Sequence, residues 1–161
     1  MKTLLGKLWR WLPPRVRNFG VRFAMARFIA TVACVVEDDD GRILLLKHRF
    51  RAGSGWGVPG GFLNAGEHPE AGLRRELREE VGLELLSARL AFIRTRKRPN
   101  HMEFIYHGTS GTTEYLTPRS IEIISLDWFA PDALPSNLAQ DQHRIIRRAL
   151  AARNLAGLST P

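Results

Sequence analysis

Glu76, Glu79 and Glu80 stand in one short segment with Arg75, Leu77 and Arg78. On a helix, Glu76 neighbours Glu79 three residues on and Glu80 four residues on, so the carboxylates converge within about 100° of arc. Like charges at this spacing repel. The chemistry that relieves them is capture of a hard cation, Mg²⁺ or Mn²⁺, by oxygen ligands on a rigid helix. A solvated acidic face, with Arg75 in reach of Glu79, is the ordinary alternative. Context separates the two readings: the loop Trp56-Gly57-Val58-Pro59-Gly60-Gly61 precedes the cluster and Gly82-Leu83 follows it. Gly60 and Gly61 let the loop turn sharply and approach the helix, where a gripped cation could hold a diphosphate.

Written out, Gly61 is followed after five residues by Glu67, and after seven more by Arg75-Glu76, apolar Leu77, Glu79-Glu80, Gly82 and apolar Leu83. This resembles the Nudix box at every defined position, and the resemblance extends less sharply over residues 29 to 153. It implies an α/β (α+β) fold, a Nudix-like α/β/α sandwich with a mixed sheet. It also implies a pyrophosphohydrolase that uses Mg²⁺ or Mn²⁺ to activate water against a diphosphate bond. By resemblance Glu76, Glu79 and Glu80 are the metal ligands, Arg75 orients them, and Glu67 is a structural glutamate. The general base is shared between Glu76 and Glu122, the latter six residues before Trp128, much as a catalytic loop glutamate stands in a bacterial member of the family. An exposed strand-end residue is the plain alternative for Glu122, and Glu103 and Glu114 are weaker substitutes.

The elements that must position these residues follow from periodicity. Phe28 to Val36 and Arg42 to Lys47 are apolar and rich in β-branched residues, and the turn Asp38-Asp39-Asp40-Gly41 joins them as a hairpin. A glycine-rich loop from Gly53 to Gly66 leads to a helix over Pro69 to Val81, with proline at its start and Gly82 past its end. Leu73, Leu77 and Val81 step by four residues along its core face. Arg89 to Arg96, Met102 to His107 and Ile121 to Phe129 are the remaining strand candidates, and a last helix is expected from about Leu138 to Asn154, capped by Ser136 or Asn137. The stretch Gly55-Trp56-Gly57-Val58-Pro59-Gly60 matches the dinucleotide fingerprint formally, but no helix opens there and no βαβ repeat surrounds it.

Length and composition fit one globular domain: 161 residues, 44% hydrophobic and 25% charged. A single cysteine forms no internal disulfide, which suits a reducing compartment such as the cytoplasm, and Cys34 in its apolar run reads as a buried structural thiol. The net charge of +8 suggests nucleic acid until it is located: seven of the 24 basic residues precede the first acid, Glu37. Beyond residue 28, 17 basic residues stand against 16 acidic ones, so the basicity belongs to an arm over residues 1–28 and the hydrolase domain to residues 29–161. Residues 3 to 12 form an amphipathic pattern, with Leu4, Leu5, Leu8, Trp9, Trp11 and Leu12 on one half of the wheel, ended by Pro13-Pro14. The arm would cover its own domain, join a second subunit in a homodimer, or lie peripherally on an anionic membrane surface. An organellar presequence or an RNA-binding extension are the lesser readings, and no run approaches the ~20 apolar residues of a membrane span.

The substrate would be a small nucleotide. Trp56, Phe62, Phe92, Phe104 and Tyr106 are candidates for stacking on a base, and Arg49, Arg51, Arg94, Arg96 and Arg98 for meeting phosphate. Pro99, sixteen residues after Leu83, resembles a feature of the ADP-ribose pyrophosphatase subgroup. The leading substrate class is a nucleoside diphosphate linked to another group, such as ADP-ribose or a nucleotide sugar. Nucleoside triphosphates, oxidised ones included, come second and RNA 5′ ends third, and a membrane- or partner-binding protein of minor activity is the alternative of another kind.

Overall fold

The structure, a computed structural model, describes residues 10–11, 13–16, 27–97, 100–111 and 116–157. Two apolar segments, β1 (Ile29–Glu37) and β2 (Ile43–His48), meet antiparallel with Glu37 opposite Ile43. The turn between them is closed by Asp38, whose Oδ1 accepts the N–H groups of Asp40 (3.0 Å) and Arg42 (2.7 Å). β1 is apolar and buried from Val32 to Val36 because both its faces are covered there, as expected of a central strand flanked by two layers. Val32, Cys34 and Val36 pack on one side with Leu73, Leu77 and Val81 of α1 (Pro69–Val81). Ala33 and Val35 pack on the other with Ile145, Ile146 and Ala149 of α2 (Gln140–Gly157). The result is the expected α/β/α sandwich, and Cys34 is fully buried within it.

The glycine-rich loop is not structureless. It holds β3 (Trp56–Gly57), paired with β2, and β4 (Gly60–Phe62), which lies antiparallel to β1 with Thr31 opposite Phe62. After α1 come β5 (Ser87–Lys97), β6 (Asn100–Thr109) and β7 (Ile123–Phe129). β6 runs parallel to β1, from Ile29 opposite His101 to Glu37 opposite Thr109, so the sheet is mixed, in the order β3-β2-β1-β6-β5 with β7 beside β2. A parallel pair needs a long crossover, and α1 lies on that connection.

α1 ends as its sequence requires. Gly82 takes φ 76°, and its N–H and that of Leu83 return to the carbonyls of Arg78 (3.0 Å) and Leu77 (3.2 Å). The strands expected over Arg89 to Arg96 and Met102 to His107 extend further at both ends, and two other boundaries also differ from expectation. Ile121 and Glu122 form a turn before β7, tied by the Ile123 N–H to the Ser120 carbonyl (3.1 Å). Ser136 and Asn137 do not cap the last helix: the Leu138 N–H closes a turn onto Pro135 (2.9 Å), burying Leu138, and the helix begins at Gln140. Of the expected arm helix over residues 3 to 12, only Arg10 and Trp11 lie inside the described residues; both are helical, and Trp11 is 91% exposed. Arg98, Pro99 and Glu114 lie outside the described residues.

Candidate active site

The acidic face of α1 meets the double glycine of β4. Gly60 has φ 150°, and a Cβ there would fall 2.2 Å from the Val32 carbonyl oxygen. A Cβ on Gly61 would fall 2.3 Å from Cδ of Glu76. Only a bare backbone lets β4 lie between β1 and the Glu76 carboxylate. A cavity of about 380 Å³ opens here, with Glu76, Glu79 and Glu80 of α1 on one wall and Glu122 on another. Arg51, His48, Ser120, Phe62 and the two glycines complete it. Helix and distant loop thus bring four carboxylates to one space, including the pair Glu76 and Glu122 named as general-base candidates.

Arg75 organises three glutamates. Its Nε and Nη2 donate to the two oxygens of Glu67 (both 2.9 Å), and Nη1 donates to Glu76 (2.9 Å) and Glu79 (3.3 Å). Nη2 also donates to the Phe62 carbonyl (3.0 Å), which ties β4 to the helix. The two-pronged hydrogen bonding from Arg75, with the Asn64 N–H behind it, holds the Glu67 carboxyl down at about 2. Glu80 is different: its side chain turns inward, 8% exposed, and its Oε2 accepts the Gly60 N–H at 3.4 Å. Burial, reinforced by Glu76 and Glu122, pushes its carboxyl up to about 7.

Arg49 and Arg96 do not reach this cavity as phosphate ligands would. Arg49 braces the Glu122 loop instead: its N–H donates to the Glu122 carbonyl (2.7 Å) and its Nε to that of Ile121 (3.1 Å). Arg96 donates to Asp141 (2.8 Å), and Arg94 is bound to Asp141 and Glu103. Of the four named arginines among the described residues, Arg51 is the one that lines the cavity. Trp56 sits edge-to-face on Phe129 at 5.3 Å, Phe92 lies under Arg148 at 4.0 Å, and Tyr106 is in the core, which leaves Phe62, 68% exposed, as the aromatic at the opening. Phe104 is partly buried against the core and borders a neighbouring apolar groove.

His48 and Ser120 line the cavity without having stood out in the sequence. Neither belongs to a periodic pattern; His48 ends β2 and Ser120 precedes the turn that carries Glu122. Burial, with Arg51 nearby, lowers the His48 imidazole to about 4, so it is neutral at physiological pH.

Among the described residues no three acids are close enough together to hold an ion as they stand, since Arg75 engages Glu76 and Glu79. The donor set nevertheless suits a divalent cation. Hard oxygens outnumber the cations around one cavity, and among the described residues no cation side chain is hydrogen-bonded to the buried Glu80 carboxyl.

Comparison with known proteins agrees with this geometry. The NUDIX domain family model matches residues 27–149. A MutT-like protein of Streptomyces ambofaciens is 31% identical over 112 residues, 68% of this chain and 69% of that protein. An RNA pyrophosphohydrolase of Acinetobacter baylyi is 30% identical over 126 residues, 78% of this chain and 61% of that protein. Among solved structures, the NUDIX domain of Shewanella oneidensis NrtR complexed with ADP ribose superposes with a TM-score of 0.68 at 19% identity, covering 91% of this chain and 96% of that one.

Proposed function

This chain belongs to the Nudix family of pyrophosphate-bond hydrolases, and from that premise we propose that it cleaves the diphosphate bond of a nucleoside diphosphate linked to another group, such as ADP-ribose or a nucleotide sugar. The observation that carries this reading is that one cavity is lined by Glu76, Glu79, Glu80 and Glu122 together with Arg51. Glu76, Glu79 and Glu80 would hold Mg²⁺ or Mn²⁺. The bound cation would lower the charge on the diphosphate and make water a better nucleophile.

The chain's own residues supply the remainder. Arg75 fixes Glu76 and Glu79 toward the cavity and links them to Glu67, so the carboxylates are oriented before substrate arrives. Glu122, on a loop braced by Arg49, takes a proton from the attacking water, with Glu76 the second candidate for that role. Arg51 neutralises phosphoryl oxygens, and Phe62 at the opening offers an apolar face to the group beyond them. Likeness to the Acinetobacter RNA pyrophosphohydrolase favours, as a second reading, removal of pyrophosphate from a triphosphate, free or at an RNA 5′ end. Among the described residues no helix is long and apolar enough to cross a membrane.

A product assay separates the readings. Incubated with Mg²⁺ and ADP-ribose, the protein should yield AMP and ribose 5-phosphate, each a new phosphomonoester from which added phosphatase liberates inorganic phosphate. Faster release of inorganic pyrophosphate from a nucleoside triphosphate would move the substrate class to the second reading, and no metal-dependent product from any nucleotide would reject the first and second alike.

A further inference from the structure

The arginines around this site have acceptors, with one exception. Arg75 meets Glu67, Glu76 and Glu79, Arg94 meets Glu103 and Asp141, and Arg96 meets Asp141. Arg51 has its Nη1 shut away from solvent with no hydrogen-bond partner among the described residues. A buried guanidinium nitrogen without an acceptor is costly, so the placement of this head group, with Nη1 sealed and the remainder of the side chain lining a cavity, calls for a structural cause.

The position of this guanidinium is equally specific. A second cavity of about 160 Å³ adjoins the first, and Arg51, with Gly60, Gly61 and Phe62, lines both. Glu80 on the first cavity and Glu103 on the second attract the guanidinium from either side, against the burial that disfavours its charge. The head group lies on the backbone of β3: a Cβ on Gly57 would fall 1.2 Å from Nη1 and 2.5 Å from Cζ of Arg51. Gln142 bounds the same place, its Oε1 accepting the Val58 N–H (3.0 Å) and lying 3.0 Å from that absent Cβ. Any side chain at position 57 would therefore occupy the volume that the guanidinium now fills.

We propose that Gly57 is a positioning residue, whose missing side chain lets Arg51 lie across β3 and present the rest of its guanidinium to the phosphoryl oxygens of a diphosphate spanning the two cavities. The pair Arg51 and Gly57 sets substrate affinity, while the carboxylates of α1 and the Glu122 loop set the rate. This rests on reading the larger cavity as a diphosphate site. It also distinguishes Arg51 from Arg49, Arg94 and Arg96, whose side chains carry acceptors of their own.

Titration calorimetry of the full chain with methylenediphosphonate in saturating Mg²⁺ tests this, because the P–C–P analogue cannot be hydrolysed and binding is separated from turnover. Arg51→Gln and Gly57→Ala should each weaken binding about tenfold or more, the range of a charged hydrogen bond. The double variant should bind no worse than Arg51→Gln alone, since both changes remove one interaction. Gly57→Ala should melt within a few degrees of the parent, because Gly57 does not have a positive φ and the displaced atoms are the far end of a flexible side chain. With a hydrolysed substrate the same variant should raise KM and leave kcat near its parent value. Losses that add in the double variant, or a Gly57→Ala protein that binds like the parent while Arg51→Gln does not, would overturn the proposal. Parent protein that binds the analogue with this coupling but hydrolyses no nucleotide would uphold the Arg51 and Gly57 pair and reject the enzymatic reading.

Discussion

Glu80 lies in the wall of an acidic cavity, where burial first, and then Glu76 and Glu122, raise its carboxyl to about 7. A raised carboxyl binds more protons folded than unfolded, so without metal its contribution to stability is complete below about pH 4.5 and is lost as pH rises through about 7. A cation needs the ionised form and reverses that trend. The rise in melting temperature produced by Mg²⁺ should accordingly be larger at pH 8 than at pH 6, and Glu80→Gln should flatten the difference; differential scanning fluorimetry at fixed ionic strength measures both. Glu122 poses a separate question at the same scale. It stands off the helix on the Arg49-braced turn, so Glu122→Gln should lower kcat with little change in KM. Steady-state kinetics showing an unchanged kcat would return the base role to Glu76.

α1 carries its carboxylates correctly only if its C-terminus is fixed. Gly82 ends it in the left-handed region, and a Cβ there would fall 2.3 Å from Cζ of Arg119, whose own N–H donates to the Glu80 carbonyl (2.8 Å). Gly82→Ala should cost about 1–2 kcal/mol from the backbone conformation alone, read as a lower urea midpoint with unchanged slope. It should also reduce kcat, because the segment it disturbs leads to Glu122. This helix was legible in the sequence: Pro69, the four-residue step of Leu73, Leu77 and Val81, and Gly82 bracket it without ambiguity. β3 and β4 were not, since strands of two and three residues carry no period and exist because β1 and β2 offer them edges. The arginines were legible as a class only. Arg49 and Arg96 differ from Arg51 by which acceptors the fold brings to them, and Asp141 lies 45 residues from Arg96 along the chain.

Across the whole molecule, periodicity reached the two helix layers and the strands between them, and the box from Gly61 to Leu83 reached the acidic wall. The order of strands, and with it the meeting of Glu122 with α1, depends on long-range pairing of β7 with β2 that local pattern does not encode. The basic arm belongs to this scale too. Every residue lining the larger cavity lies between His48 and Glu122, so deleting residues 1–26 should leave turnover per site unchanged. Light scattering and sedimentation with phosphatidylglycerol vesicles then report the arm's role. A lost dimer assigns it to subunit exchange, and lost salt-sensitive vesicle binding assigns it to a lipid surface. The central claim is that the carboxylates of α1 make this chain a metal-dependent diphosphate hydrolase. Its most direct test is a Mg²⁺ titration of phosphomonoester release from ADP-ribose by the parent protein and by Glu79→Gln and Glu80→Gln. Release should saturate with Mg²⁺ in the parent and fall by about 10² or more in each folded variant. Turnover by both variants equal to the parent at saturating substrate and metal would contradict it.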